Sequence, residues 1–163
     1  MPVGNGKSQS LAVPNIAPGT YSAEITASYP WYVASALCGA MDLLREDLTV
    51  PEGSGLPPIE IVLRNDSATL SGTISENGEP AEGAVLLIAA HGTPKVSDAL
   101  GQSSFQFHNV APGDYAVLAL DRVDQLEYAN PAALQPYLAQ ASNVTLTANG
   151  NAEIALNLVH VGQ

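Results

Sequence analysis

Short apolar runs recur through the second half of the chain at intervals of about ten residues. They are 69 to 74 (TLSGTI), 84 to 90 (AVLLIAA), 105 to 107 (FQF), 115 to 121 (YAVLALD), 144 to 147 (VTLT) and 153 to 159 (EIALNLV). Val, Ile, Leu, Phe and Tyr dominate them, as strands require. Turn chemistry separates them at Asn77-Gly78, Gly92-Thr93-Pro94, Pro112-Gly113 and Asn149-Gly150. Many short strands without a long intervening helix predict an all-β chain folded as antiparallel sandwich. One interruption is expected near 131–140, where Asn130 supplies a cap and Pro131 the first helical position. Leu134, Tyr137 and Leu138 follow at helical spacing, and Pro136 restricts the helix to a turn or two.

Residues 32 to 46, YVASALCGAMDLLRE, carry a mixed pattern. Ala, Leu and Met favour a helix, while the Tyr-Val start and Gly39 favour a strand followed by a turn. Propensity alone selects the helix.

The pattern is also partly duplicated. Asn15-Ile-Ala-Pro-Gly-Thr-Tyr21 returns as Asn109-Val-Ala-Pro-Gly-Asp-Tyr115, an offset of 94. Upstream, Leu11 and Val13 match Phe105 and Phe107; downstream, Leu48-Thr-Val50 matches Val144-Thr-Leu146, and Glu60-Ile-Val-Leu63 matches Glu153-Ile-Ala-Leu156. Two sandwich units in tandem are therefore expected, residues 1–66 and 67–163. The second has two strands, 69 to 74 and 84 to 90, for which the first has no room. An N-terminally incomplete first unit exposes strand edges. We expect the chain to be an excerpt of a longer array, or the missing strands to be supplied by a neighbouring domain or by a second copy through strand exchange.

Within the heptapeptide, Pro followed by Gly is the pattern of a type II turn. The preceding Asn can bond to nearby backbone. The following Tyr opens a strand with its ring over the core and its hydroxyl within reach of a loop carbonyl, in the manner of a tyrosine corner. Every residue of the motif is explained as a fold corner, without a ligand.

Residues 69 to 121, with TLSGTI, NGEPAEGAVLLI and FQFHNVAPGDYAVLALD, resemble the carboxypeptidase regulatory-like domain, a prealbumin-like β-sandwich of seven or so strands. YVASALCGAMDLLREDLTV, PIEIVLRNDSATLSGTI and the YANPAALQPYL insert resemble tandem proteins of this type common in acidobacteria. The resemblance implies a strand and then a turn for residues 32 to 44. It also implies an Ig-like or prealbumin-like accessory module located outside the cytoplasm. One departure is Asp98-Ala-Leu-Gly101-Gln-Ser-Ser-Phe105, longer before the Phe than the usual pattern.

Charge narrows the partners. Sixteen acidic and five basic residues give a formal net charge of −11. Both halves share the excess, with seven acidic and three basic residues in 1–66 and nine and two in 67–163. Nucleic acid and anionic membrane are poor partners for such a surface. No apolar stretch approaches the roughly 18 residues of a membrane helix, and MPVGNGKSQS lacks the apolar centre of a signal peptide. The one cysteine, Cys38, excludes an internal disulfide and reads as a buried thiol.

Catalytic motifs are missing. His91, His108 and His160 stand alone in sequence, without zinc-peptidase spacing, so carboxypeptidase activity is not expected. No Gly-x-Ser-x-Gly is present, and Gly4-Asn-Gly-Lys-Ser8 has only half of a phosphate loop. Asp42, Glu46, Asp47 and Glu52, or Asp121, Asp124 and Glu127, lack calcium-loop spacing and read as solvated acids. The candidate ligand-binding residues are Tyr29, Trp31 and Tyr32, which could stack against a sugar or peptide or pack at a sheet edge. The expected function is a non-enzymatic structural or interaction module of a larger exported bacterial protein, with no cofactor. Its expected partners are other domains or a second copy through strand edges; the alternative is a carbohydrate- or peptide-binding module using 29 to 32.

Overall fold

A computed structural model describes residues 15–53, 55–97 and 103–162. The fold is all-β and sandwich-like. Two compact units divide the chain: one takes residues up to Thr26 and Val33–Leu63, the other Ala27–Tyr32 and Arg64–Gln163. The expected boundary at 66/67 thus falls just inside the second unit, which also holds six residues from far upstream, Ala27–Tyr32.

The first unit contains β1 (Gly19–Tyr21) paired with β4 (Leu48–Val50), and a sheet ordered β3 (Met41–Asp42), β2 (Tyr32–Cys38), β5 (Ile59–Arg64). Ala36, Cys38, Leu43, Leu48 and Val50 form its core. Residues 32 to 38 are strand, against their helix propensity. Ala36 and Cys38 point inward and Leu37 outward, a period of two, and Gly39 then takes φ 62°, which ends the run.

The second unit joins eight strands in the order β10 (Ser104–Val110), β6 (Ala68–Glu76), β13 (Asn151–Val159), β11 (Gly113–Leu120), β8 (Ala84–Ala89), β9 (Lys95–Val96). The strand β7 (Glu79–Pro80) adds to β6, and β12 (Ser142–Leu146) adds to β11. The hairpin between β6 and β7 turns on Asn77 (φ 52°) and Gly78 (φ 87°), as a two-residue Asn-Gly loop should. Most pairings are antiparallel, but β13 runs parallel to β6 from Asn151↔Thr69 to Asn157↔Ser75, and parallel to β11 at Leu158 and Val159. The Asn149-Gly150 turn explains the departure from a simple hairpin. Asn149 N–H donates to the Asp66 carbonyl (2.9 Å) and Thr69 N–H donates to the Gly150 carbonyl (2.9 Å), which carries the chain across to β6.

Leu70, Val85, Leu87, Phe105, Phe107, Val117 and Leu156 fill the core between the layers. Gly72 lies opposite Phe105, and its missing Cβ leaves room for the ring. Leu86, Leu118 and Leu120 face the other way, against α1 (Pro131–Leu138) through Leu134. Burial on both faces is why AVLLIA and YAVLAL read as continuous apolar runs. The helix starts as its sequence indicates, with Asn130 Oδ1 accepting the Ala132 N–H at 3.0 Å and Pro131 next.

Both heptapeptides adopt one geometry. Gly19, Thr20 and Tyr21 lie opposite Val50, Thr49 and Leu48; Gly113, Asp114 and Tyr115 lie opposite Leu146, Thr145 and Val144. Tyr21 Oη donates to the Ala17 carbonyl (2.9 Å) and Tyr115 Oη to the Ala111 carbonyl (2.7 Å). The type II turn is not what forms. The left-handed residues are Asn15 (φ 62°) and Asn109 (φ 54°), while Gly19 and Gly113 sit at φ 155° and 153°, far from the roughly +80° of a type II turn. In the second unit β10 pairs with β6 and β11 with β8, so the segment arches between layers instead of closing a hairpin. Leu11, Val13, Gly4–Ser8 and Asp98–Gly101 lie outside the described residues.

Candidate functional site

The segment Ala27–Tyr32 belongs to the second unit and is fixed there by its backbone. Trp31 N–H donates to the Ser28 carbonyl (2.9 Å) across a cis Tyr29–Pro30 bond, and Asn109 Nδ2 donates to the Trp31 carbonyl (3.1 Å). Asn109 therefore serves twice, as the left-handed corner residue and as the tie for this segment. Its Oδ1 is buried without a partner.

The three aromatic candidates separate by role. Tyr32 Oη donates to Asp66 Oδ1 (2.7 Å), and Arg64 binds the same carboxylate through Nε (2.9 Å) and Nη2. Burial, then the Asp66 carboxylate, pushes the Tyr32 hydroxyl up to about 12. Arg64 and then Tyr32 hold the Asp66 carboxyl well below the usual range. Tyr32 is thus a bracing residue. Tyr29 is 80% exposed and Trp31 44% exposed, and both rings face solvent. Among the described residues the one paired set of rings is Phe105 with Phe107, so the rings of Tyr29, Trp31 and Tyr32 do not stack on one another.

A cleft of about 820 Å³ opens on the second unit, between α1 and the sheet. Its floor is a cross-strand row in which Ala116 lies opposite Ile88 on one side and Asn143 on the other. In the next row Thr145 Oγ1 donates to Asp114 Oδ1 at 2.6 Å. Leu134 and Leu138 of α1, with Tyr128 before it, form the wall, and exposed His91 stands at the rim. Eight helical residues span about 12 Å. They cover Leu118 and Leu120 and leave the Ile88–Ala116 row open. Among the described residues no lysine or arginine lines the cleft.

At another place the strands gather Glu76, Asp121 and His160. His160 Nδ1 lies 2.8 Å from Asp121 Oδ2, and Nε2 lies 2.7 Å from Glu76 Oε1. Asp121 Oδ1 also accepts the Val161 N–H (2.9 Å), and Arg122 Nε stands 3.4 Å from Oδ2. The Asp121 hydrogen bond, then that of Glu76, raises the His160 pKa above its usual 6.5. Burial alone would raise the Asp121 carboxyl, but Val161, His160 and Arg122 outweigh it and hold it low. In sequence this histidine stands alone. Parallel pairing of β13 with both β6 and β11 brings the C-terminal ends of all three strands together, and only that pairing reveals the cluster. With a carboxylate on each ring nitrogen, the protonated imidazole clamps the ends of both layers.

The remaining candidates are local braces. Asp42 accepts the Leu44 N–H (3.1 Å) and faces Arg45 (3.4 Å), and Glu46 accepts the Asp42 N–H (3.2 Å). The buried Cys38 thiol donates to the Pro57 carbonyl (3.4 Å). No group of three or more His, Cys, Asp or Glu is arranged to hold a metal ion among the described residues.

No family model matches the chain. No curated protein matches it either. A solved DUF3823 family protein from Parabacteroides merdae matches at 14% identity and a TM-score of 0.39, over 56% of this chain and 45% of its own. The chain therefore spans less than half the length of that protein.

Proposed function

We propose that the chain is a non-catalytic β-sandwich module of the carboxypeptidase regulatory-like type, serving as a structural or interaction unit of a larger protein outside the cytoplasm. The resemblance of residues 69 to 121 and the two corners with matching registers support a repeated module. The observation that carries the interaction role is β5. It lies at one side of its three-stranded sheet, with Ile61 (39%), Val62 (51%) and Leu63 (46%) exposed.

The partner that fits this edge is a second copy. Antiparallel pairing of β5 with its copy about Val62 sets Glu60 opposite Arg64 and Ile61 opposite Leu63, each twice, with Val62 meeting its own copy. Light scattering across a concentration series tests it: a dimer that Val62→Lys dissolves is expected. A wild-type monomer at the highest soluble concentration would overturn it.

A second reading, glycan or peptide binding, draws on the exposure of Tyr29 and Trp31, with Tyr32 as their brace. Titration with soluble polysaccharides and extended peptides should then shift Trp31 fluorescence; an unchanged spectrum for all of them removes it.

A further inference from the structure

The cleft in the second unit combines three properties. Its floor and wall are mainly apolar, from Ile88, Ala116, Leu134 and Leu138, with Tyr128 at the side and Asn143 and Gln135 as neutral polar groups. Its fixed charge is a single carboxylate, Asp114, oriented by Thr145 through one oxygen. Among the described residues no lysine or arginine lies within the lining, and Lys95, next to the lining residue Pro94, pairs with Leu87, whose side chain belongs to the inter-sheet core. A volume of about 820 Å³ falls within the range of small-molecule sites, roughly 300–1,000 Å³.

We propose that this cleft binds a small amphipathic organic cation, its apolar body lying on Ile88 and Ala116 against α1 and its ammonium head on the second oxygen of Asp114. An acidic protein of net charge −11 adds long-range attraction for such a ligand and repels its anionic analogue. The apolar strip of Ile88, Ala116, Leu134 and Leu138 favours a hydrocarbon body over the hydroxylated face of a sugar. Tyr128 supplies a ring against which the cation can also rest. This reading is independent of the β5 edge, because the two tests read different properties and different units.

Three matched probes test it by calorimetric or NMR titration of the whole chain: 2-phenylethylamine, 2-phenylethanol and phenylacetate, which share a ring and differ in head group. The amine is expected to bind about tenfold more tightly than the alcohol, the gain of a charge-assisted hydrogen bond, and the acid not to saturate. Asp114→Asn should erase the preference for the amine while leaving the alcohol unchanged. Ala116→Leu, which fills the floor, should weaken amine and alcohol alike. Unfolding curves of both variants establish that they fold. Saturable binding of phenylacetate as tight as that of the amine, an amine preference that survives Asp114→Asn, or no saturable binding by any probe would each overturn the proposal.

Discussion

Replacing Gly72 by Ala should unfold or severely weaken the second unit. A Cβ at this position would stand 2.0 Å from the Ile154 carbonyl oxygen and 2.7 and 2.8 Å from two atoms of the Phe105 ring. Carbon normally stays about 3.3 Å from such an oxygen, so β6 and β13 must separate locally by about 1.3 Å. That breaks on the order of two ladder hydrogen bonds, at about 1 kcal/mol each. Displacing Phe105 adds overpacking of about 1–3 kcal/mol. The total, about 3–5 kcal/mol, is a large share of the 5–15 kcal/mol typical of a domain. Trp31, the chain's sole tryptophan, belongs to this unit, so urea unfolding followed by its fluorescence reads the effect directly. Thr73→Ala, exposed on the same strand, is the control and should cost under about 1 kcal/mol. Because the tighter clash is with backbone, adding Phe105→Leu should not rescue Gly72→Ala. A Gly72→Ala protein within about 0.5 kcal/mol of wild type would refute the close approach of β6 and β13.

The two corners should differ in worth. Tyr115→Phe leaves the part-buried Ala111 carbonyl unpaired and should cost about 1–2 kcal/mol, whereas Tyr21→Phe, at an exposed bond, should cost under about 0.5 kcal/mol; equal effects in urea unfolding would contradict the assignment. The His160 clamp predicts a pH dependence of defined sign. Its folded pKa is raised, so its contribution is complete below the unfolded value of about 6.5 and is lost as pH rises through the folded value. The unfolding midpoint of the second unit should therefore fall more steeply between about pH 6.5 and the folded value in wild type than in His160→Gln. Parallel profiles for the two proteins from neutral to alkaline pH would remove the clamp. The groups facing the imidazole are Glu76, Asp121 and, behind the latter, Arg122.

Local chemistry was legible wherever it is set by neighbours in sequence. The apolar runs marked β6, β8, β10 to β13, Asn130-Pro131 marked the helix start, and the Tyr hydroxyl of each corner reached a carbonyl four residues back. Each of these depends on backbone preferences and periodicity acting over a few residues. Helix propensity failed for 32 to 38 because packing of Ala36 and Cys38 into the first unit's core outweighed it.

What tertiary structure alone decided is everything that depends on which strands become neighbours. Antiparallel order follows from adjacent runs joined by tight turns, but the parallel seat of β13 follows from the docking of Asn149 and Gly150 near Asp66 and Thr69, some eighty residues earlier. That one pairing assembles Glu76, Asp121 and His160, which sequence shows only as scattered residues. The Pro-Gly pair suggested a tight turn, yet the layers demanded an arch, and Asn took the left-handed position. The cleft arises from a mismatch of lengths, an eight-residue helix over a wider sheet face, which no stretch of sequence records. Sequence determined the elements through short-range conformational preference; the layers determined the sites, because burial is satisfied only by groups that folding brings together from far along the chain.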